Sequence, residues 1–202
     1  KYAVADDRAI VLSENWKPSG TGGHGNRGWG LVVEDQAVAD HLTAVFGADV
    51  DWADAKPWRR VRENFTVVGG ADANDTYPTR FPPVDVRADE VSVLVAPDNA
   101  RRGVRDLVAS ADESLLIEQP RLDPEGAFTN WTVDAARRGV EVRVLLSGKW
   151  YNRDGNRNTT RRLNRIAAEE GLALDAKLVS PRSRFEKVHV KGAVVDGETA
   201  VV

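Results

Sequence analysis

Three residues near the end of the chain have the types and spacing needed for phosphate chemistry: His189, Lys191 and Asp196. Residues two apart on a β-strand point to the same face, so we expect the imidazole of His189 beside the ammonium of Lys191. Two neighbouring cationic groups are unfavourable unless an anion lies between them. Phosphate fits, because histidine can attack phosphorus or donate a proton while lysine balances the phosphoryl oxygens. Asp196 should lie near the following turn.

The first twelve residues repeat this pattern. Lys1–Leu12 and Lys191–Val202 are identical at five of twelve positions, and each copy reads as lysine, four residues, aspartate, a turn and a second strand. Any two β-hairpins share alternating valines and alanines, but they need not share the Lys and Asp at one spacing. We therefore predict that Lys1 and Asp6 are the counterparts of Lys191 and Asp196.

The pattern His-x-Lys-x-x-x-x-Asp at His189–Asp196, preceded in order by Ile117–Asp123 and Ala135–Leu146, resembles the phospholipase D superfamily. The resemblance implies a phosphodiesterase in which two such motifs, from two similar halves, meet at one site. One histidine forms a phosphohistidine, the other acts as acid and then base, and no metal or other cofactor is required. It also implies that His189, Lys191 and Asp196 form one motif and that Lys1 and Asp6 belong to the other, whose histidine would lie two residues before Lys1.

The segment Ser13-Glu14-Asn15 resembles the Gly-Ser-x-Asn segment of that family. The resemblance implies that Asn15, together with Ser13, donates hydrogen bonds to the substrate phosphate. Many members carry a glutamate shortly afterwards that orients a histidine. Here Asn26–Gly30 contains no carboxylate and the next acidic residue is Glu34, so the sequence does not identify the orienting group; we do not assign this role to Glu118.

The elements that must position these residues follow an α/β pattern. We predict a hairpin at 2–12, a strand at 31–33 and a helix at 37–46 that ends at Gly47. Beyond residue 91, strands alternate with helices. The predicted strands are 91–96, 114–119, 140–146 and 172–179, the helices are 99–111, 128–138 and 158–170, and a hairpin follows at 188–202. We predict a phospholipase D-like mixed sheet with helices on both faces, an α-β-α sandwich.

The chain divides into three predicted segments. Residues 1–58 are the C-terminal part of the first half, residues 59–90 are a linker rich in Gly, Pro and Asp, and residues 91–202 are the second half. The chain begins at Lys1 and contains no methionine, so we expect it to be an excerpt of a longer protein that is inactive by itself.

Composition excludes several other classes. The chain has 202 residues, 42% of them apolar, so it can form a core, and it has no apolar run near the roughly 20 residues of a membrane span. We expect it to be soluble. Without cysteine it has no disulfide or thiolate metal site, and its three histidines have no metal-ligand spacing. Gly20-x-Gly22-x-x-Gly25 lacks the strand and helix of a dinucleotide site. The Asn-x-Thr sequons weakly favour export; they begin at Asn64, Asn74, Asn130 and Asn158.

The sequence leaves the substrate open between nucleic acid and phospholipid. Lys149–Lys191 contains eleven Lys/Arg against five Asp/Glu, within a chain of net charge −3. Trp150 and Tyr151 offer either a stacking platform for a base or lipid headgroup, or core packing. A basic helix face would attract phosphodiesters or only interact with solvent; it would comprise Arg153, Arg157, Arg161, Arg162 and Arg165. The alternative to an enzyme is an inactive scaffold or a phosphate-binding module of the same fold.

Overall fold

Two β-sheets organise the chain in a computed structural model that describes residues 1–21, 25–52, 81, 83–179 and 185–202. The smaller sheet is antiparallel, in the order β1-β2-β3. Its strands are β1 (Tyr2–Ala5), β2 (Arg8–Leu12) and β3 (Gly30–Glu34), with the short helix α1 (Pro18–Thr21) between the last two. Helix α2 (Gln36–Trp52) packs on this sheet through Val38 and Leu42.

The larger sheet has five strands in the order β6-β5-β4-β7-β8. Strands β4, β5 and β6 are parallel, and β7 and β8 run antiparallel to their neighbours. The elements are α3 (Ala100–Ala109), β4 (Ser114–Gln119), α4 (Ala127–Arg137), β5 (Glu141–Ser147), α5 (Trp150–Glu170), β6 (Leu174–Val179), β7 (Gly192–Val195) and β8 (Thr199–Val201). The α/β class with a mixed sheet is thus confirmed.

The main core lies on one face of the larger sheet. Strands β4, β5 and β6 follow one another in one direction, and right-handed crossovers therefore place α4 and α5 on the same side. Leu115, Val142 and Leu163 are among the fully buried residues there. On the opposite face Leu116 and Arg143 are exposed. Among the described residues, α4 and α5 therefore cover the buried face of this sheet, and the cover of its other face stays a prediction.

Three predicted elements differ from the structure. No strand forms at 91–96, because Asn99 Oδ1 accepts the N–H of Val95 at 2.7 Å and the N–H of Asn99 donates to the Val95 carbonyl at 2.9 Å. Helix α2 continues through Gly47, which a helix tolerates at moderate cost. Helix α5 begins at Trp150 rather than at residue 158.

The early start of α5 has a local cause. Asn156 is fully buried, and its amide donates to the carbonyls of Pro120 and Ser147, both at 2.8 Å. This asparagine ties α5 to the ends of β4 and β5, although an Asn/Gly-rich sequence is typical of a loop. Arg162 does not belong to the exposed basic face of α5, because its side chain is largely buried and pairs with Glu125 at 3.1 Å.

Several predicted features lie outside the described residues: most of the linker, the glycines and histidine at 22–24, and the sequons at Asn64 and Asn74. The other two sequon asparagines, Asn130 and Asn158, are exposed on helices α4 and α5. In the part of the chain that the structure describes, no helix is both long and apolar enough to cross a membrane.

Candidate functional site

The candidate site forms where the two sheets meet. Residues 25–29 run parallel to residues 186–189, with Arg27 bridged to Val188. The N–H of Arg27 donates to Lys187 O at 2.8 Å, and the N–H of His189 donates to Arg27 O at 2.9 Å. This pairing brings the loop that follows β2 to the strand that leads into β7.

The side chains of His189 and Lys191 lie on one face of that strand, as predicted. Val188 and Val190 alternate with them and are fully buried. Because β7 is antiparallel to β4 and Gly192 lies opposite Glu118, His189 is at the carboxyl end of the parallel strands. Open α/β sheets bind their ligands at this edge.

A carboxylate from the smaller sheet holds His189. Glu14 Oε1 lies 3.1 Å from Nδ1 of His189, and the Glu14 side chain is only 5% exposed. Glu14 Oε2 accepts a hydrogen bond from Asn26 Nδ2 at 3.0 Å. Glu14 therefore has the orienting role that the sequence did not assign. It is the only acidic residue between Asp7 and Glu34, a signal that was available in the sequence.

The surroundings of His189 favour its neutral form. Burial and the charge of Lys191 lower its pKa, and Glu14 only partly opposes this shift. Glu14 Oε1 and Lys191 Nζ both lie 3.1 Å from Nδ1. Because a carboxylate only accepts hydrogen bonds, we assign the ring proton to Nδ1, where it donates to Glu14. Nε2 then keeps a lone pair, which is the state required for nucleophilic attack or proton acceptance.

Two lysines converge on one backbone carbonyl. Lys191 Nζ donates to Ser13 O at 3.0 Å, and Lys1 Nζ donates to the same oxygen at 3.2 Å. Burial and the nearby charge of Lys1 lower the pKa of Lys191 to about 8. An ammonium has three donors. Lys191 uses two of them on the carbonyls of Ser13 and His189, and its Nζ also lies 3.1 Å from Nδ1 of His189. The two ammonium groups would attract a negatively charged phosphoryl oxygen.

Gly28 leaves the space that Glu14 occupies. A Cβ atom on Gly28 would lie 2.1 Å from Glu14 Cγ and 2.8 Å from Oε1, both far closer than van der Waals contact. Any side chain at residue 28 would displace the carboxylate from His189.

Ser13 and Asn15 differ in what they offer a substrate. Ser13 is 4% exposed, and its hydroxyl donates to Trp29 O at 3.0 Å while it accepts the Trp29 N–H at 2.9 Å. The Ser13 hydroxyl thus donates to and accepts from the Trp29 backbone, and its role in binding phosphate stays a prediction. The Asn15 amide makes no hydrogen bond with any described residue, so Asn15 stays a predicted phosphate donor.

The two aspartates lie away from the cluster of His189 and Lys191, and their catalytic role stays a prediction. Asp6 and Asp196 occupy the hairpin turns with φ values of 55° and 54°, which aspartate adopts more readily than most residues. Each lies five residues from its lysine, about 17 Å along a strand. Asp196 instead accepts backbone N–H groups from Asp112, Glu113 and Ser114, at 2.7 to 3.1 Å. It joins the β7–β8 turn to the start of β4.

We predict that Asp196→Asn lowers the melting temperature and leaves the pH–rate profile unchanged. Asparagine tolerates the turn backbone, so the substitution removes mainly the charge that accepts three N–H groups. These hydrogen bonds lower the pKa of Asp196 below its ordinary 3.8. The Asp196 carboxylate therefore stabilises the fold fully above its ordinary pKa. This stabilisation is lost as the pH falls through the lower pKa that Asp196 has in the folded protein.

Thermal unfolding of both proteins between pH 3 and pH 7 checks this prediction. Asp6→Asn is the matched control, because Asp6 occupies the equivalent turn and has no hydrogen-bond partner among the described residues. An equal loss of melting temperature in the two variants would contradict the role given to Asp196.

Comparisons with known proteins agree with this architecture. A family model described as "Cardiolipin synthase, PLD-like domain" matches residues 104–202. The crystal structure of phosphatidylserine synthase from Haemophilus influenzae Rd KW20 is similar, with a TM-score of 0.61 and 14% sequence identity, over 97% of this chain and 51% of that one. TrmBL2, an archaeal chromatin protein, aligns over 80% of this chain and 51% of that one at 14% identity, with a TM-score of 0.39, too low to support an argument.

This chain spans about half the length of both solved structures. No curated protein matches its sequence. The family match includes the larger sheet, His189 and Lys191. The structural alignment with the synthase extends over nearly the whole chain. Residues 104–202 therefore match a PLD-like domain, in agreement with the resemblance of the motifs to the phospholipase D superfamily.

Proposed function

We propose that the protein cleaves or transfers a phospholipid phosphodiester through a covalent phosphohistidine on His189. The match of residues 104–202 to a PLD-like domain supports an enzyme of the phosphodiesterase or transferase type. The observation that carries the proposal is the 3.1 Å contact between Glu14 and Nδ1 of a neutral His189, beside the ammonium of Lys191. The matching family is described by a phospholipid-forming enzyme, which favours phospholipid over nucleic acid as substrate.

The proposed reaction has two steps. The Nε2 lone pair attacks phosphorus, the bond from phosphorus to the leaving alcohol breaks, and the alcohol oxygen takes a proton from an acid. Water or a second alcohol then attacks the phosphohistidine, releases Nε2 and passes its proton to the same group. Lys1 and Lys191 neutralise the non-bridging oxygens in both transition states. Glu14 keeps the proton on Nδ1 and stabilises the charge that develops on the ring.

Chemical trapping on the full-length protein tests this proposal. The protein is mixed rapidly with bis(p-nitrophenyl) phosphate or phosphatidylglycerol vesicles, quenched in alkali and digested for mass spectrometry. We expect an adduct on His189 that is stable in base and labile in acid. Turnover without an adduct, or an adduct on another residue, would overturn the assignment of His189 as nucleophile.

Two other functions are outcomes of the same assays when DNA is added as a third substrate. The exposed arginines of α5, at 153, 157 and 161, favour a nuclease as the second candidate, and turnover of DNA with none of phospholipid would select it. An absence of turnover on all three substrate classes, with the adduct missing, would indicate a scaffold that retains the fold.

A further inference from the structure

An aromatic and basic patch lies beside the candidate site. We name it the rim patch and define it as Lys149, Trp150, Tyr151, Arg153 and Lys187. Helix α5 begins at Trp150, directly after β5 reaches the carboxyl edge of the sheet. Lys187 precedes His189 by two residues on the same strand, about 7 Å away. The patch and the candidate site therefore share one edge of the larger sheet.

The two aromatic side chains of the rim patch face solvent. Trp150 is 72% exposed and Tyr151 is 48% exposed. Their rings lie 5.5 Å apart at an interplanar angle of 86°, so they meet edge to face. Burial of such rings is strongly favourable, and adjacent exposed aromatic residues at a site edge are typical of a surface that contacts a partner.

Positive charge surrounds these rings. Lys187 Nζ lies 5.2 Å from the centroid of the Tyr151 ring, and Arg153 is exposed with no partner among the described residues. Lys149 forms an ion pair with Glu186 at 3.2 Å. Among the described residues, Glu186 is the acidic residue that pairs with a member of the rim patch. Arg157 and Arg161 continue the positive charge along the same side of α5, because each follows the preceding arginine by four residues. Arg157 also pairs with the exposed Asp154 at 3.9 Å. The patch thus complements an anionic surface.

The ring geometry favours a lipid surface over a nucleic-acid strand. Bases bind by stacking flat on aromatic faces. Here the two rings are perpendicular, so they cannot form one platform, and Lys187 lies over a face of Tyr151. Tryptophan and tyrosine flanked by lysine and arginine are instead suited to the headgroup layer of a membrane, where the ring is buried and the cations meet lipid phosphates.

We propose that the rim patch docks the protein on an anionic phospholipid surface, with Trp150 and Tyr151 inserted between headgroups. This inference rests on the proposed function, which supplies a phospholipid as substrate. Docking at this edge would present a headgroup phosphate directly to His189 and Lys191.

Vesicle sedimentation with the 202-residue chain tests the proposal. The probes are phosphatidylcholine vesicles and vesicles of equal parts phosphatidylcholine and phosphatidylglycerol. We expect binding to the mixed vesicles that weakens with salt, since surface attraction is screened. The double variant Trp150→Ala/Tyr151→Ala should bind them at least about tenfold more weakly, because two interfacial rings are lost. A charge-reversal variant, Arg153→Glu/Arg157→Glu, should lose binding in parallel.

Phe46→Ala is the matched control, because Phe46 is 61% exposed on α2, a helix that carries aspartates but no lysine or arginine. It should bind within about twofold of the unmodified chain, given that single surface changes are usually small. Circular dichroism confirms that each variant is folded. Equal vesicle binding by the unmodified chain and both rim-patch variants would overturn the proposal. So would binding of a single-stranded oligonucleotide, lost in the variants, when mixed vesicles are not bound.

Vesicle binding does not require turnover. A failure of the phosphohistidine assignment would therefore leave the result of sedimentation unchanged, and the two proposals can fail separately.

Discussion

Substitution of His189 by asparagine is expected to lower kcat/KM of the full-length protein on bis(p-nitrophenyl) phosphate by at least about 10³-fold, because the attacking atom is removed. Asparagine retains a polar group of smaller size on a side chain that is 19% exposed, so the fold should survive. The adduct described above should be absent from the variant. Steady-state kinetics and circular dichroism on both proteins measure the two effects.

His41→Asn is the matched control for this experiment. His41 is an exposed residue of α2, distant in sequence from both motifs. Its replacement should leave kcat/KM within about twofold of the value for the unmodified protein. Retention of turnover by His189→Asn would show that the reaction does not pass through His189 and would overturn the proposed function.

Removal of the orienting carboxylate is the second prediction with a large expected effect. We expect Glu14→Ala to lower kcat/KM by about 10²-fold, since the ring of His189 loses the acceptor that fixes its tautomer. Glu14 raises the pKa of His189 against the effects of burial and the lysines. Without it that pKa falls further, so the acid limb of the pH–rate profile should move to lower pH.

A carboxylate at residue 28 should restore activity to Glu14→Ala. This rescue is not expected if Glu14 only stabilises the fold. A Cβ on residue 28 would lie 2.1 Å from Glu14 Cγ, so an aspartate there would place its carboxyl carbon near that of Glu14. Glu14→Ala/Gly28→Asp should therefore recover at least about tenfold of the lost activity and restore the pH profile. Gly28→Ala alone should impair turnover as Glu14→Ala does, because the methyl group displaces the carboxylate. A double variant no more active than Glu14→Ala would refute the orienting role.

The sequence predicted what depends on local spacing. His189 and Lys191 share a face because strand geometry requires it, and the two Lys-to-Asp hairpins form at the expected positions. The larger sheet follows from alternating strand and helix patterns, which report burial directly. These predictions required no knowledge of which distant segments pair.

The sequence did not predict what depends on distant pairing. Glu14 acts on a histidine 175 residues away, and only the register of Arg27 against Val188 brings the two together. Asp196 was grouped with the catalytic residues because the motif contains it, yet its carboxylate faces the backbone of residues 112–114. The absent strand at 91–96 has a different, local cause, since the Asn99 side chain accepts the Val95 N–H that pairing with a neighbouring strand would need.

The pairing of residues 25–29 with residues 186–189 makes catalysis more fragile than the fold. Among the described residues, the Arg27–Val188 bridge is the β-pairing that joins the two sheets, and each sheet has a core of its own. Proteins open locally at a lower free energy than they unfold globally. Opening at this seam separates Glu14 from His189 while both cores remain intact. Mild denaturant should therefore abolish turnover at a lower concentration than the one that changes the circular dichroism signal. A ligand that bridges the two sheets should bring these two concentrations together.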